Sequence, residues 1–146
     1  MKQYIPLAQE FSGRLILFHS AAAETLGLHA TDLRALRLLE ERPMIAGALG
    51  ESLRLTGAAT TALIDRLETA GYVIRERDTL DRRKVTIRAI AEKLSEVDEA
   101  YKGIRARMSK ILSTYSADQF AAIADYMKRT AQALADETAE ISLGKP

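Results

Sequence analysis

A mainly α-helical chain carrying one small β-hairpin is what the sequence predicts, and three observations support that reading. The run IAGALGESLRLTGAATTALIDRLETAGYV, from Ile45 to Val73, holds two short amphipathic helical patterns separated by a turn. The segment VIRERDTLDRRKVTIRAI that follows alternates apolar and polar residues around a charged tip, as the two strands of a hairpin do. On either side of this centre lie long stretches with apolar residues every three or four positions. Helix, turn, helix and basic hairpin in that order are the layout of a winged helix-turn-helix, an α+β arrangement suited to a nucleic-acid duplex.

From Tyr4 to Leu26 the apolar positions are Leu7 or Ala8, Phe11, Leu15, Phe18, Ala22 and Leu26, one face of a helix that Gly27 stops. A second helix is expected to start at Thr31 or Asp32, whose side chains can accept first-turn N–H groups, and to bury Leu33, Leu36 and Leu39 before Pro43 ends it. Ile45, Leu49 and Leu53 share the inner face of a third helix, in which Gly47 and Gly50 allow close helix contact. Thr56 caps a fourth helix with Thr60, Leu63, Ile64 and Leu67 inward, and Gly71 closes it with a left-handed residue. Val85, Ile87 and Ala89 alternate with Lys84, Thr86 and Arg88, so the second hairpin strand turns its cations outward. Beyond it Leu94, Val97, Tyr101, Ile104, Met108, Ile111 and Tyr115 form a heptad-like seam that needs a partner. A last helix from Ser116 or Ala117 carries Phe120, Ile123, Met127, Ala131, Leu134 and Ile141 on one face.

Lys and Arg number 21 against 20 Asp and Glu in 146 residues, so a nucleic-acid partner would have to be met by a local patch. Arg75, Arg77, Arg82, Arg83, Lys84 and Arg88 supply one in the hairpin, whereas Asp118, Asp125, Asp136, Glu137 and Glu140 make the C-terminal stretch acidic. Cysteine is absent, which excludes disulfides and thiol switches and leaves His19 and His29 as the imidazoles; no metal and no cofactor are expected. Glu10 and Arg14 interrupt the opening apolar stretch, so it does not read as a signal peptide, and no run is long enough to span a membrane. A soluble cytoplasmic protein follows from those signs. No nucleophile–base motif, phosphate-binding glycine loop or metal cluster points to an enzyme.

With LIDRLETAGYVIRE and the hairpin motif Asp81-Arg82-Arg83 in place, the chain resembles the MarR family of winged-helix transcription regulators over essentially its whole length. Two departures stand out. The family's second wing strand usually leads to a Leu-Thr pair and then a glycine, where this chain has Ala89, Ile90 and Lys93. The early recognition helix, often polar or basic in the family, here reads Gly57, Ala58, Ala59 and Ala62. The resemblance implies one chain organised as a DNA-binding domain over 30–90 and a helical dimerisation region from 1–27 and 91–146. It implies a homodimer on a pseudo-palindromic double-stranded operator, acting as a repressor, less often an activator, whose affinity responds to a small aromatic or phenolic ligand.

Small residues at a helix N-terminus permit close approach to base edges and thymine methyl groups in a major groove, which nominates Gly57, Ala58, Ala59, Thr61 and Ala62. Thr56 and Thr61 could equally bond phosphate. One turn on, Arg66 is expected to project towards the DNA backbone, while Arg82 and Arg83 reach an adjacent minor groove. Arg75, Arg77 and Lys84 extend the cationic face, and Asp81 is expected to orient an arginine. For the ligand, a site is expected between the reading head and the helical body, lined by the first, second and fifth helices, with Arg14, His19 and His29 as nearby polar groups. A winged helix that binds an acidic protein partner instead of a specific DNA sequence is the alternative reading.

Overall fold

The computed structural model describes residues 4–77, 85–142 and 144. Six helices and three short strands follow one another as α1 (Tyr4–Thr25), α2 (Ala30–Glu41), β1 (Met44–Ile45), α3 (Ala46–Leu53), α4 (Gly57–Thr69), β2 (Val73–Arg77), β3 (Val85–Ala89), α5 (Ala91–Leu112) and α6 (Ala117–Ser142). The chain divides into two compact units, one up to Lys102 and one from Gly103.

In the first unit α2, α3, α4 and the sheet enclose a core in which Leu36, Leu49, Ile64, Leu67, Val73 and Ile87 are fully buried. All four residues assigned inward on α4, namely Thr60, Leu63, Ile64 and Leu67, are buried. The Thr56 hydroxyl accepts the Ala59 N–H at 3.3 Å and so caps that helix. At its other end Gly71 has φ +76°, with the Tyr72 N–H on the Leu67 carbonyl and the Gly71 N–H on Glu68, a Schellman closure. The same closure follows α3, where Leu55 N–H meets the Gly50 carbonyl, but Arg54 holds the left-handed position at φ 56°. A side chain there costs roughly 1 kcal/mol relative to glycine.

Helix packing also depends on Gly50, because a Cβ at that position would overlap the Thr60 hydroxyl of α4. Gly47 has no such neighbour, so of the two glycines expected to allow close contact only Gly50 does so.

Three boundaries differ from the sequence expectation. Helix α2 begins at Ala30 with His29 extended before it, and Asp32, expected as a cap, lies inside the first turn and accepts the His29 N–H at 2.9 Å. Between Pro43 and α3 the chain forms a third strand, β1, paired antiparallel with β3 (Met44 opposite Ile87, Ile45 opposite Thr86), giving the sheet order β1-β3-β2. Strand alternation therefore buries Met44 and leaves Ile45 exposed, so Ile45 is not part of the inner face of α3. Helix α5 starts at Ala91, ahead of the seam that opens at Leu94. It uses no side-chain cap, and the Ile90 carbonyl accepts the N–H groups of Lys93 and Leu94.

The wing strands pair in the register Val73 opposite Ala89 and Arg77 opposite Val85. Ile87 and Ala89 face the core and Arg88 faces outward, as the alternation requires. Within the second unit Ser116 and Gln119 cap α6 reciprocally, the Ser116 N–H on the Gln119 amide oxygen at 2.9 Å and the Gln119 N–H on the Ser116 hydroxyl at 3.3 Å. No residue of α6 is buried. Met108, Ile111, Tyr115, Phe120, Met127, Leu134 and Ile141 are all exposed.

Candidate nucleic-acid interface

Helix α4 presents its first two turns outward: Gly57, Ala58, Ala59, Thr61 and Ala62 are exposed while Thr60 is buried between them and α3. The two exposed hydroxyls differ in what they can still offer. Thr61 donates its proton to the Gly57 carbonyl at 3.0 Å, which leaves its methyl group and lone pairs facing outward. Thr56 uses a lone pair on the Ala59 N–H and keeps its proton for another acceptor.

Among the described residues, Arg75 and Arg88 of the hairpin and Arg66 of α4 are paired inside the molecule. Arg66, expected to project towards a DNA backbone, turns its guanidinium onto Asp32 of α2, with Nε on Oδ2 at 2.9 Å and Nη2 on Oδ1 at 2.5 Å. Arg75, expected in the cationic face, is clamped by Asp65 and Glu68 of α4. These bonds raise the pKa of both guanidinium groups, the Asp32 bond first for Arg66 and the Asp65 bond first for Arg75. Arg88 of β3 bonds Glu76 of β2 at 2.7 Å, which holds that carboxylate below its ordinary range. Arg77, at the outer end of β2, is exposed and has no ion pair among the described residues. Asp81, Arg82, Arg83 and Lys84, expected at the wing, lie outside the described residues. One-dimensional spacing counts cations but cannot show which acids fold back against them; Asp65 and Glu68, a turn apart on α4, were the available signal for Arg75.

A second feature is a cleft of about 510 Å³ lined by Ile16, His19 and Ser20 of α1, Ala30, Leu33, Arg34 and Arg37 of α2, and Tyr101 of α5. It lies where the first, second and fifth helices were expected to form a site. His19 Nδ1 is 2.7 Å from the Tyr101 hydroxyl, and Phe18 packs edge-on to the Tyr101 ring. Arg37 stacks over that ring at 5.5 Å and bonds Glu40 at 2.9 Å. Burial raises the Tyr101 phenol above its ordinary pKa, with Arg37 opposing. Of the three polar groups nominated for a ligand, the structure puts only His19 in the cleft wall. Arg14 is exposed beside Glu10, and His29 precedes α2 outside the lining. Arg34 and Arg37 also line the cleft, and the apolar spacing of α2 does not single them out; Tyr101, a position of the α5 seam, turns to this cleft with its hydroxyl on His19.

Among the described residues no group of three His, Cys, Asp or Glu could hold a metal ion, and no helix is long and apolar enough to cross a membrane.

An exposed helix N-terminus carried by a helix-turn-helix and followed by an antiparallel hairpin defines a winged-helix protein. The family model for the MarR family matches residues 26–84. An uncharacterised HTH-type transcriptional regulator of Bacillus subtilis (strain 168), YcgE, is 34% identical over 137 residues, covering 93% of this chain and 89% of that protein. Among solved structures, a MarR family protein from Bacillus stearothermophilus superposes with a TM-score of 0.74 at 21% identity, covering 92% of this chain and 94% of that one. A mutant form of S. aureus MepR, solved bound to an oligodeoxyribonucleotide, superposes at 0.64 and 19% identity over 90% of this chain and 97% of that one. The chain belongs to the MarR family of DNA-binding transcriptional regulators, which are not enzymes.

Proposed function

We propose that the protein is a homodimeric repressor that reads a pseudo-palindromic duplex with helix α4 and releases it when a small aromatic or phenolic ligand occupies the cleft between α1, α2 and α5. The observation that carries the DNA reading is the bare outer face of α4, where Gly57, Ala58, Ala59 and Ala62 allow close approach of the helix to base edges. On this reading Thr61 meets bases through its methyl group and acceptor lone pairs, and Thr56 donates to a phosphate. Arg77 and the hairpin residues Arg82, Arg83 and Lys84 supply the electrostatic part, with Asp81 orienting one of them. That a mutant of MepR, which shares this fold, was solved bound to an oligodeoxyribonucleotide supports DNA as the partner here. The two-domain division, 30–90 for DNA and 1–27 with 91–146 for dimerisation, belongs to this proposal.

For the ligand, the cleft combines an apolar floor with Arg34, Arg37, His19 and Tyr101, a set that suits a planar ring bearing a carboxylate or phenol. A ligand there acts only by favouring one spacing of the two reading heads over another.

Selection of bound sequences from a pool of random duplexes tests the DNA reading. An imperfect palindrome with half-site centres about 10 bp apart is the expected product. Recovery of no sequence preference would favour a protein-interaction module. Titrating the selected complex with benzoate, phenol and related compounds tests the ligand arm: release by at least one is expected, and no effect from a broad set would mean regulation without a ligand.

A further inference from the structure

We propose that Arg66 is a positioning residue: through Asp32 it fixes the rotation of the recognition helix α4 against α2, and so governs discrimination between duplex sequences without itself meeting a phosphate. This rests on DNA reading by α4 and deepens it.

Among the described residues of the first unit, Asp32 is the one buried charged side chain, at 0% exposure. Its carboxylate meets three donors, with the His29 N–H and Arg66 Nε on Oδ2 and Arg66 Nη2 on Oδ1. Two arms of a planar fork meet two oxygens, which sets direction as well as distance. The rest of the α4 inner face is Thr60, seated against Gly50 of α3, and Leu63, Ile64 and Leu67, whose apolar contacts favour burial but carry little directional preference. Arg66 lies about one turn along α4 from Ala62, so a rotation it permitted would swing Thr61 and Ala62 relative to any groove. Nε and Nη2 are both spent on Asp32, so a phosphate contact made with that fork would leave a buried carboxylate without its cation. Nη1 is the nitrogen outside the pair, and the salt dependence of Arg66→Gln reads any phosphate contact through it.

The test compares wild-type protein with Asp32→Asn and Arg66→Gln, using the duplex selected by wild type and a random duplex over a range of salt. Affinities are corrected for the folded fraction. Positioning gives a roughly tenfold loss of selected-over-random discrimination in both variants, about the effect of one lost base contact. It leaves the slope of log affinity against log salt unchanged. A slope reduced by about one in Arg66→Gln, with Asp32→Asn unaffected, would overturn the proposal in favour of a phosphate contact. Unchanged discrimination with only a lower melting temperature would overturn it in favour of a purely fold-stabilising pair. If Arg66→Gln does not fold, Asp32→Asn decides alone, because it frees Arg66 for DNA under the contact model and disorients α4 under this one. Wild type that fails to discriminate at all would instead remove the DNA reading on which the inference stands.

Discussion

Two glycines in α3 separate what sequence alone can and cannot say about a residue. Gly47 and Gly50 look alike in the string, yet a Cβ at position 50 would overlap the Thr60 hydroxyl whereas one at position 47 meets nothing within 4 Å. Gly50→Ala is therefore expected to destabilise the fold by about 1–3 kcal/mol through overpacking. Gly47→Ala should stabilise it by roughly 0.5 kcal/mol, since alanine loses less backbone entropy in a helix. Urea midpoints of the two variants check the pair, and equal shifts of the same sign would contradict the packing described. Caps that act locally were legible: Thr56 bonds the Ala59 N–H within the same turn, and Thr56→Ala should cost about 1 kcal/mol. Partners distant in sequence were not. Asp32 and Arg66 stand 34 positions apart, and nothing in their local patterns announces that they meet.

Helices with a full turn or more of periodicity were recovered, because burial repeats along them and leaves a pattern in the string. Strand β1 left none: its two residues show no period, and Ile45 was drawn into the helical spacing of Leu49 and Leu53 that follows it. The junction of wing and α5, where the chain departs from its family, is held by other means than a threonine cap. Tyr72 is buried at the base of β2, accepts the Ile90 N–H on its carbonyl, and places its ring beneath Lys93 with its hydroxyl 3.4 Å from Glu96. Burial first, then Glu96, pushes the Tyr72 phenol above 10.0. In the unfolded chain that phenol ionises earlier, so the folded state holds the extra proton and stability falls as pH rises above 10.0. Tyr101 adds to this loss in the same direction. Unfolding midpoints followed from about pH 8 to values above this point should decline less steeply in Tyr72→Phe than in wild type, and parallel curves would contradict the assignment.

Across the full chain, the quantity still to be accounted for is exposed apolar surface. Leu7, Phe11, Ile16 and Leu17 on α1, and Met127, Leu134 and Ile141 on α6, are each more than half exposed. A soluble monomer rarely leaves such faces uncovered, and a symmetric pair of chains would bury them. Met127→Glu is accordingly expected to be nearly neutral for folding of one chain, within about 0.5 kcal/mol, while dissociating the pair. Light scattering alongside circular dichroism reads both effects, and an unchanged mass would place the interface elsewhere. The seam along α5 was legible as a surface in need of a partner, but its first part, Leu94, Val97 and Tyr101, packs on the reading head's own core. Periodicity marks a face as apolar without naming what covers it. Central to the proposed function is a pair of chains holding two α4 helices at a spacing that fits one duplex. Sedimentation of the purified protein with its selected duplex measures this directly: two chains per duplex, bound cooperatively, is the expected result, and a single chain per duplex or no complex in dilute buffer would contradict it.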